Sequence, residues 1–318
     1  MSVAADSEAA GPGPSSERAR LLQQQQYHDD VRVYKVLFSG ALAGGISRTA
    51  TAPVDRLKMI LQVQDECKRG MTLREGMQRI ASEGSLKAYF KGNGANVVKI
   101  APETAIKLTL NDTLKHVLPR DSDHIRPVER MVAGGIAGAV AQFLLYPLDT
   151  IRTRLAVSEH GTYRGILHAA YRMHRDEGVH SFYRGLLPSM IGILPYAGVD
   201  IMLFEMFKQR LLDNADRAGV APSHMGLLGA GMLSSSIAQL VSYPLALIRT
   251  RLQAQGVGGC ALKYAGMADV ARKTLAREGV RGLYKGLLPN IIKLAPAAGI
   301  SWYVFEETKM SLGVDPRS

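Results

Sequence analysis

The residues able to do chemistry in this chain are charged ones set at repeating distances. Asp55 and Lys58 lie in Pro53-Val54-Asp55-Arg56-Leu57-Lys58, Asp149 and Arg152 in Pro147-Leu148-Asp149-Thr150-Ile151-Arg152, and Arg249 closes Pro244-Leu245-Ala246-Leu247-Ile248-Arg249. A carboxylate and a cation three positions apart share one helix surface, so their chemistry is reversible ion pairing, within a helix or across to a neighbour. A second set has the same form: Asp112 with Lys115, Glu205 with Lys208, and Glu306 with Lys309. For a single copy the plain reading is a pair on one helix, worth roughly 0.2–0.5 kcal/mol. Three copies at equal distance after a proline argue for a ring of charges. No nucleophile–base pair, phosphate-cradling loop or metal-ligand cluster accompanies them, so enzymatic chemistry is not expected.

These charges need elements to position them, and the elements repeat. Each charged phrase is followed by Glu-Gly and then by aromatic-basic-Gly: Glu83-Gly84 with Phe90-Lys91-Gly92, Glu177-Gly178 with Tyr183-Arg184-Gly185, and Glu278-Gly279 with Tyr284-Lys285-Gly286. Ten residues beyond each last glycine stands a proline, at Pro102, Pro195 and Pro296. Three marks in one order, three times over, outrank other sequence signals. They divide the 318 residues into a disordered tail at 1–32 and repeats at 33–126, 127–220 and 221–318. The tail is rich in Ser, Gly, Pro and Gln, and it has neither the arginine pattern of a transit peptide nor the apolar core of a secretory signal. Cys67 and Cys260 have no metal-ligand companions and imply a reducing compartment or no structural disulfide.

A mean hydropathy of zero disguises windows of another kind. Met131 to Leu148 and Met225 to Ile248 contain no charged residue. Both are long enough to cross ~30 Å of hydrocarbon at ~1.5 Å per residue, and both are expected to span a membrane. The net charge of +11 is unevenly placed. Eight Lys/Arg face four Asp/Glu between Arg56 and Lys91, six face three from Thr150 to Arg184, and eight face two from Ile248 to Lys285, whereas 112–130 and 205–224 balance. Basic alternate loops are the bias of a polytopic membrane protein and speak against a nucleic-acid partner.

The first helix of each repeat carries small residues four apart, Gly40 and Gly44, Gly134 and Gly138, Gly231 and Ser235, which are expected to let backbones approach closely. A proline one turn before each charged phrase bends that helix. The bends are expected to bring Asp55, Lys58, Asp149, Arg152 and Arg249 into one ring. Short amphipathic stretches such as Leu73 to Ile80 and Met267 to Ala276 are expected to lie flat on a membrane surface. The second helix of each repeat holds charges that a lipid-facing helix would not: Lys99, Glu103 and Lys107, then Asp200, then Lys293. They are costly unless they face a wet or protein-lined interior, so six spans around a central aqueous cavity are expected.

The threefold Pro-x-Asp-x-x-Lys/Arg with its downstream phrases resembles the mitochondrial carrier family from Val33 to Gly313. Gly92 to Lys107, Arg152-Thr153-Arg154-Leu155-Ala156-Val157 and Ser242 to Arg251 look most like the ATP-Mg/phosphate carriers. The resemblance implies an all-α membrane protein: six transmembrane helices in a pseudo-three-fold barrel of three repeats, with short amphipathic helices on the matrix side. It implies a multi-pass protein of the mitochondrial inner membrane with both termini toward the intermembrane space. The implied activity is antiport of adenine nucleotides, Mg-ATP, ADP or AMP against phosphate, by alternating access between two salt-bridge gates. The matrix gate would comprise Asp55, Lys58, Gln62, Asp149, Arg152, Arg249 and Gln253, with Asp55 reaching Arg152 and Asp149 reaching Arg249. Its third link is missing because Ala246 stands in the acid's place, which leaves Lys58 without a partner; Gln62 and Gln253 resemble braces. The cytoplasmic gate would pair Asp112 with Lys208, Glu205 with Lys309 and Glu306 with Lys115, beside Phe204 and Phe305. Substrate would be held three residues before each even-helix proline, at Lys99, at Gly192 with Ile193, and at Lys293. The lysines would take phosphates, Gly192 would make room for a flat ring, and Arg48 would add a cation. Glu103 either pairs with Lys107 as an i,i+4 neighbour or meets the magnesium of the nucleotide.

No resident cofactor is expected, magnesium entering only as part of an ATP-Mg substrate. The residues before Val33 contain no Asp-x-Asp-x-Asp-Gly pattern, so no calcium site is expected. Arg249-Thr250-Arg251-Leu252-Gln253 is not the Arg-Arg-Arg-Met-Met-Met run of the ADP/ATP exchangers, which disfavours that activity. The expected partners are a phosphorylated small molecule and membrane lipid, including cardiolipin at the matrix side, and the chain is expected to act as a monomer. Two other readings stand. One is a carrier of coenzyme A or adenosine 3',5'-diphosphate, which the same cations and glycine shelf would serve. The other is a carrier-like scaffold or proton leak that moves no solute, which the incomplete matrix ring leaves open.

Overall fold

The computed structural model describes residues 34–63, 71–117, 127–159, 161–218, 224–257 and 263–313. Its elements are helical, with no strand among the described residues. In the first repeat, α1 (34–50) gives way to α2 (Ala52–Gln62), followed by α3 (Leu73–Ala81), a 3-10 turn at Leu86–Phe90, α4 (Asn93–Val98) and α5 (Ile100–Val117). The second holds α6 (Pro127–Val157), α7 (Ile166–Glu177), a 3-10 turn at Val179–Tyr183 and α8 (Leu186–Ala218). The third holds α9 (His224–Gln253), α10 (Met267–Gly282), α11 (Leu287–Ile292) and α12 (Leu294–Ser311). Residues 1–32, Cys67 and Cys260 lie outside the described residues.

Proline explains where the helices weaken. Pro147, Pro195 and Pro244 sit inside unbroken helices, each withholding one N–H from the turn before it. In the first repeat the helix is interrupted at Thr51, which keeps right-handed angles and the Thr51 N to Ser47 O hydrogen bond of 3.1 Å, and Pro53 falls in the first turn of α2, where the missing N–H costs little. The even helices divide in the same way. Lys99 separates α4 from α5 and Lys293 separates α11 from α12, yet both keep right-handed helical angles, with φ −67° and −72°. The helix through Gly192 is unbroken.

The amphipathic helices pack one side on protein. Ile80 of α3 packs with Leu57, Ile60, Leu61 and Ala88; Ala169 and Met173 of α7 pack on Ile151; Val270 of α10 packs on Ile248 and Leu252. Ile80, Met173 and Val270 are at most 1% exposed. The helical period reveals an apolar face without revealing what covers it; here part of that face packs on the odd helix of the same repeat, while Met77, Leu167 and Leu275 remain exposed. The small-residue stripes are likewise only partly used. A Cβ on Gly44 would lie 3.7 Å from Ile100 and one on Gly231 3.8 Å from Phe204, whereas nothing lies within 4 Å of the same point at Gly40, Gly135 or Gly138. Small residues permit close approach only where a partner helix presents itself.

Met225–Gln253 and Val179–Arg217 are long and apolar enough to cross a membrane. The former contains the window expected at 225–248. The expected window at 131–148 falls within α6, whose first residues have no described side chains. Helices adjacent in sequence pack together, α5 on α6 and α8 on α9, with α11 meeting both α9 and α2. Lys35 Nζ donates to the Leu312 carbonyl at 2.8 Å and Ser47 Oγ to the Ala297 carbonyl at 2.7 Å, so the last helix returns to the first.

Candidate functional site: a charged ring and the lysines that join it

The bent odd helices bring the proline-linked charges together as expected. Arg152 Nη2 donates to Asp55 Oδ2 at 2.9 Å, and Arg249 Nη2 to Asp149 Oδ2 at 2.7 Å. Both links run from one repeat to the next. What the spacing did not show is that each carboxylate holds a second cation from an even helix. Lys99 Nζ donates to both oxygens of Asp149 at 2.9 Å, and Lys293 Nζ donates to Asp55 Oδ1. Gln142 Nε2 adds a further hydrogen bond to Asp149 at 2.9 Å. Asp55, Asp149 and Lys99 are all buried. Buried carboxylates need such partners, because a charge removed from water without them is strongly destabilising.

The third link has a different form. Lys58, expected to lack a partner, donates to Asn290 Oδ1 at 2.8 Å and lies 5.9 Å from the centre of the Tyr243 ring. Asn290 in turn donates to Gln239 Oε1. An amide oxygen and a ring face thus take the place of the carboxylate that Ala246 cannot supply. Gln62 and Gln253 do not brace the ion pairs directly: Gln62 Nε2 donates to the Tyr243 hydroxyl at 2.9 Å, and Gln253 Oε1 accepts from Thr153 Oγ1 at 2.9 Å. Arg249 lies over the Tyr146 ring at 5.4 Å. The tyrosines before Pro147 and Pro244 thereby hold the bases that the ring uses.

Beyond the ring lies a second network that sequence reasoning missed. Glu83, Glu177 and Glu278 of the Glu-Gly phrases each hold two cations: Arg56 and Lys91, Arg154 and Arg184, Arg251 and Lys285. The three arginines each donate Nε at 3.0 Å to a carbonyl of the next repeat, from Arg56 to Ala156, Arg154 to Gln253, and Arg251 to Gln62. The three acceptors all stand nine residues after a proline. Of the donors, Arg154 and Arg251 stand seven after theirs, but Arg56 stands three after, one helical turn earlier. That shift hid the equivalence. The repeated glycines seal the same level. Gly92, Gly185 and Gly286 have φ of +83°, +86° and +80°, and a Cβ would come within 2.7, 2.9 and 3.0 Å of the carbonyl oxygens of Arg152, Arg249 and Lys58. Left-handed backbone and close approach both require glycine there.

Burial opposes ionisation of Glu83, but hydrogen bonds from Arg56 and Lys91 outweigh it and hold the carboxyl below its ordinary value of 4.5. Glu177 follows the same balance with Arg154 and Arg184.

The other candidate binding residues are dispersed around these. Arg48 Nη1 donates to Asn96 Oδ1 at 3.1 Å. Glu103 accepts from Lys107 at 2.7 Å, with Lys99 Nζ at 3.7 Å from its other oxygen. A Cβ on Gly192 would lie 3.5 Å from the Cβ of Leu245, while Ile193 is exposed. Asp200 accepts from Ser234 at 2.8 Å and Ser235 at 3.0 Å. At the opposite end Glu205 pairs with Lys208 at 3.7 Å and Glu306 with Lys309 at 4.0 Å, each within its own helix. Lys309 lies 5.3 Å from the Phe305 ring centre. The side chains of Asp112 and Lys115 lie outside the described residues.

The sequence pattern of the mitochondrial carrier proteins matches three stretches, 29–122, 123–215 and 221–315. The chain is 43% identical over 281 residues to the mitochondrial adenyl nucleotide antiporter SLC25A24 of Bos taurus, covering 88% of this chain and 59% of the relative. It is 43% identical over 283 residues to SLC25A24 of Homo sapiens, with the same coverage. It is 42% identical over 284 residues to the mitochondrial adenyl nucleotide antiporter SLC25A25 of Mus musculus, covering 89% of this chain and 60% of the relative. The chain therefore spans about three fifths of the length of these relatives. With the whole pattern found three times and a charged phrase of each repeat set in one interlocked ring, the chain belongs to the mitochondrial carrier protein family.

Proposed function

We propose that this protein is a multi-pass transporter of the mitochondrial inner membrane, not an enzyme, and that it exchanges adenine nucleotides, as Mg-ATP, ADP or AMP, for phosphate. The observation that carries the reading is the composition of the ring: Lys99, Arg152, Arg249 and Lys293 converge on two carboxylates, Asp55 and Asp149, and Lys58 joins them through the Asn290 amide. Five cations against two acids leave an excess that a polyphosphate would neutralise. The printed names of the relatives, adenyl nucleotide antiporters, supply the class of cargo.

In this reading the three units at 33–126, 127–220 and 221–318 form a six-helix barrel that acts as a monomer, with cardiolipin against its matrix face. Bulky apolar side chains such as Phe143, Leu144, Met202 and Trp302 are exposed on the isolated chain, as a surface that meets lipid would have them. Asp55, Asp149 and their partners close the matrix end. Lys99 and Lys293 each belong to two assemblies, the closed ring and the substrate site, so a nucleotide that takes them withdraws counter-charge from the ring. A ligand shifts such an equilibrium only through its different affinity for the two states, and this exchange of partners provides that difference. Gly192, Ile193 and Arg48 complete the site, and Glu103 contacts the magnesium of the nucleotide complex.

Exchange by the full chain in liposomes loaded with phosphate, ADP or coenzyme A, with and without magnesium, tests the reading. Counter-exchange of nucleotide with phosphate is expected. Preference for coenzyme A, or uptake that needs no internal counter-substrate, would overturn it. Glu103→Gln is expected to reduce Mg-ATP uptake while sparing ADP uptake; equal losses would remove the magnesium role.

A further inference from the structure

The third sector of the ring lacks two side chains at once. In the other sectors an even-helix lysine grips an odd-helix aspartate, Lys99 on Asp149 and Lys293 on Asp55. At the third, Gly192 stands where the lysine would be and Ala246 where the aspartate would be. What remains is Lys58, whose charge meets no carboxylate within ion-pair distance among the described residues, only the amide oxygen of Asn290 and the face of Tyr243. A cation drawn from water needs charged company, and a neutral amide is the weaker acceptor.

We infer that this gap is a binding site for inorganic phosphate, seated on Lys58 in the place of the absent aspartate and displacing the Asn290 oxygen that now accepts from it. The inference rests on the proposed exchange activity and assigns the counter-substrate to a sector of its own. Leu245 fills the space beside Gly192, where a Cβ would lie 3.5 Å from the Leu245 Cβ, so the anion would take the place of the carboxylate that Ala246 lacks. Tyr243, one turn before Ala246 on α9, already receives Lys58 from α2, so an anion there would join the same two helices as the missing ion pair. Phosphate would then complete a three-link ring from within, whereas nucleotide phosphates draw on Lys99 and Lys293. One ring would serve two cargoes through different cations.

The test compares Ala246→Asp with Ala246→Asn, which differ in charge and hardly in size, using the full chain in liposomes. Phosphate/phosphate and ADP/ADP exchange are both measured. A fixed carboxylate should occupy Lys58, raising the KM for phosphate about tenfold over the asparagine variant, with the KM for ADP changed by less than about threefold. Equal phosphate KM values in the two variants, or parallel increases for phosphate and ADP, overturn the inference. Should either variant fail to fold, phosphate-induced thermal stabilisation of the wild-type protein and of Lys58→Gln decides: the shift should vanish in Lys58→Gln, and its survival overturns the inference. If the wild-type protein exchanges ADP and the phosphate results fail, only this inference falls; if it exchanges neither, the proposed function falls with it.

Discussion

At the proline end of the helices, Asp149 collects partners from three helices, Gln142 of its own, Lys99 and Arg249, and its side chain is 8% exposed. At the far end, Glu205 meets Lys208 of its own helix at 3.7 Å and its side chain is 62% exposed. Residue types and spacings are alike at the two ends, but the connectivity differs. Pairs between helices tie repeats together, whereas pairs along one helix leave the repeats free to separate. The comparison teaches that a charge triplet is a latch only when its partners stand on different elements, and that among the described residues the ion pairs between repeats lie at the proline end.

The largest effect should come from cutting the outer network. Arg154 is fully buried, and Arg154→Ala would leave the Glu177 carboxylate with one cation fewer, a loss of about 3–5 kcal/mol. Thermal unfolding of the purified protein should show it, whereas Glu205→Ala should change stability by less than ~0.5 kcal/mol. Similar losses would erase the contrast between the ends. Next in size, Asp149→Asn should slow nucleotide exchange by about tenfold, equivalent to ~1.4 kcal/mol, since it loosens Lys99 and Arg249 together. Wild-type rates would show that the ring is not a gate.

The far end is probed by reversal. Glu205→Lys and Lys309→Glu should each reduce exchange about fivefold, and the double reversal should recover most of it, if these residues meet across helices in the opposite state. Additive losses would confine the pairs to their own helices. The smallest effect concerns pH. Glu83 and Glu177 ionise more readily when folded, so their contribution is complete above their ordinary value of 4.5 and is lost as pH falls through the lowered values. The unfolding temperature should hold steady down to about pH 5 and decline below it, and Glu83→Gln with Glu177→Gln should flatten that decline.

The three repeats, the prolines and the gathering of Asp55, Asp149, Arg152 and Arg249 into one ring were legible because each depends on spacing within a phrase or on symmetry between phrases; that Asp55 meets Arg152 and Asp149 meets Arg249 followed from the family resemblance. Lys99 with Asp149 and Lys293 with Asp55 were not legible, because they join positions 50 and 238 residues apart on different kinds of helix. Periodicity marked the apolar faces that hold Ile80, Met173 and Val270 but could not say that the odd helices meet them, because one apolar face suits lipid and protein equally well. The role of Arg56 was hidden by its displacement of one turn from Arg154 and Arg251, a change that a long flexible side chain absorbs in space but that breaks a repeat in text.

The seam between α1 and α12 has a consequence for assembly. Lys35 and Ser47 donate to carbonyls 277 and 250 residues further along the chain, about as remote as two partners in this polypeptide can be. Such contacts form only after the entropy of closing the intervening chain has been met. The first described helix thus finds its partner only when the last one is in place. The join between them is therefore the last to zip and the natural first point of unzipping, whichever repeat is the sturdiest on its own.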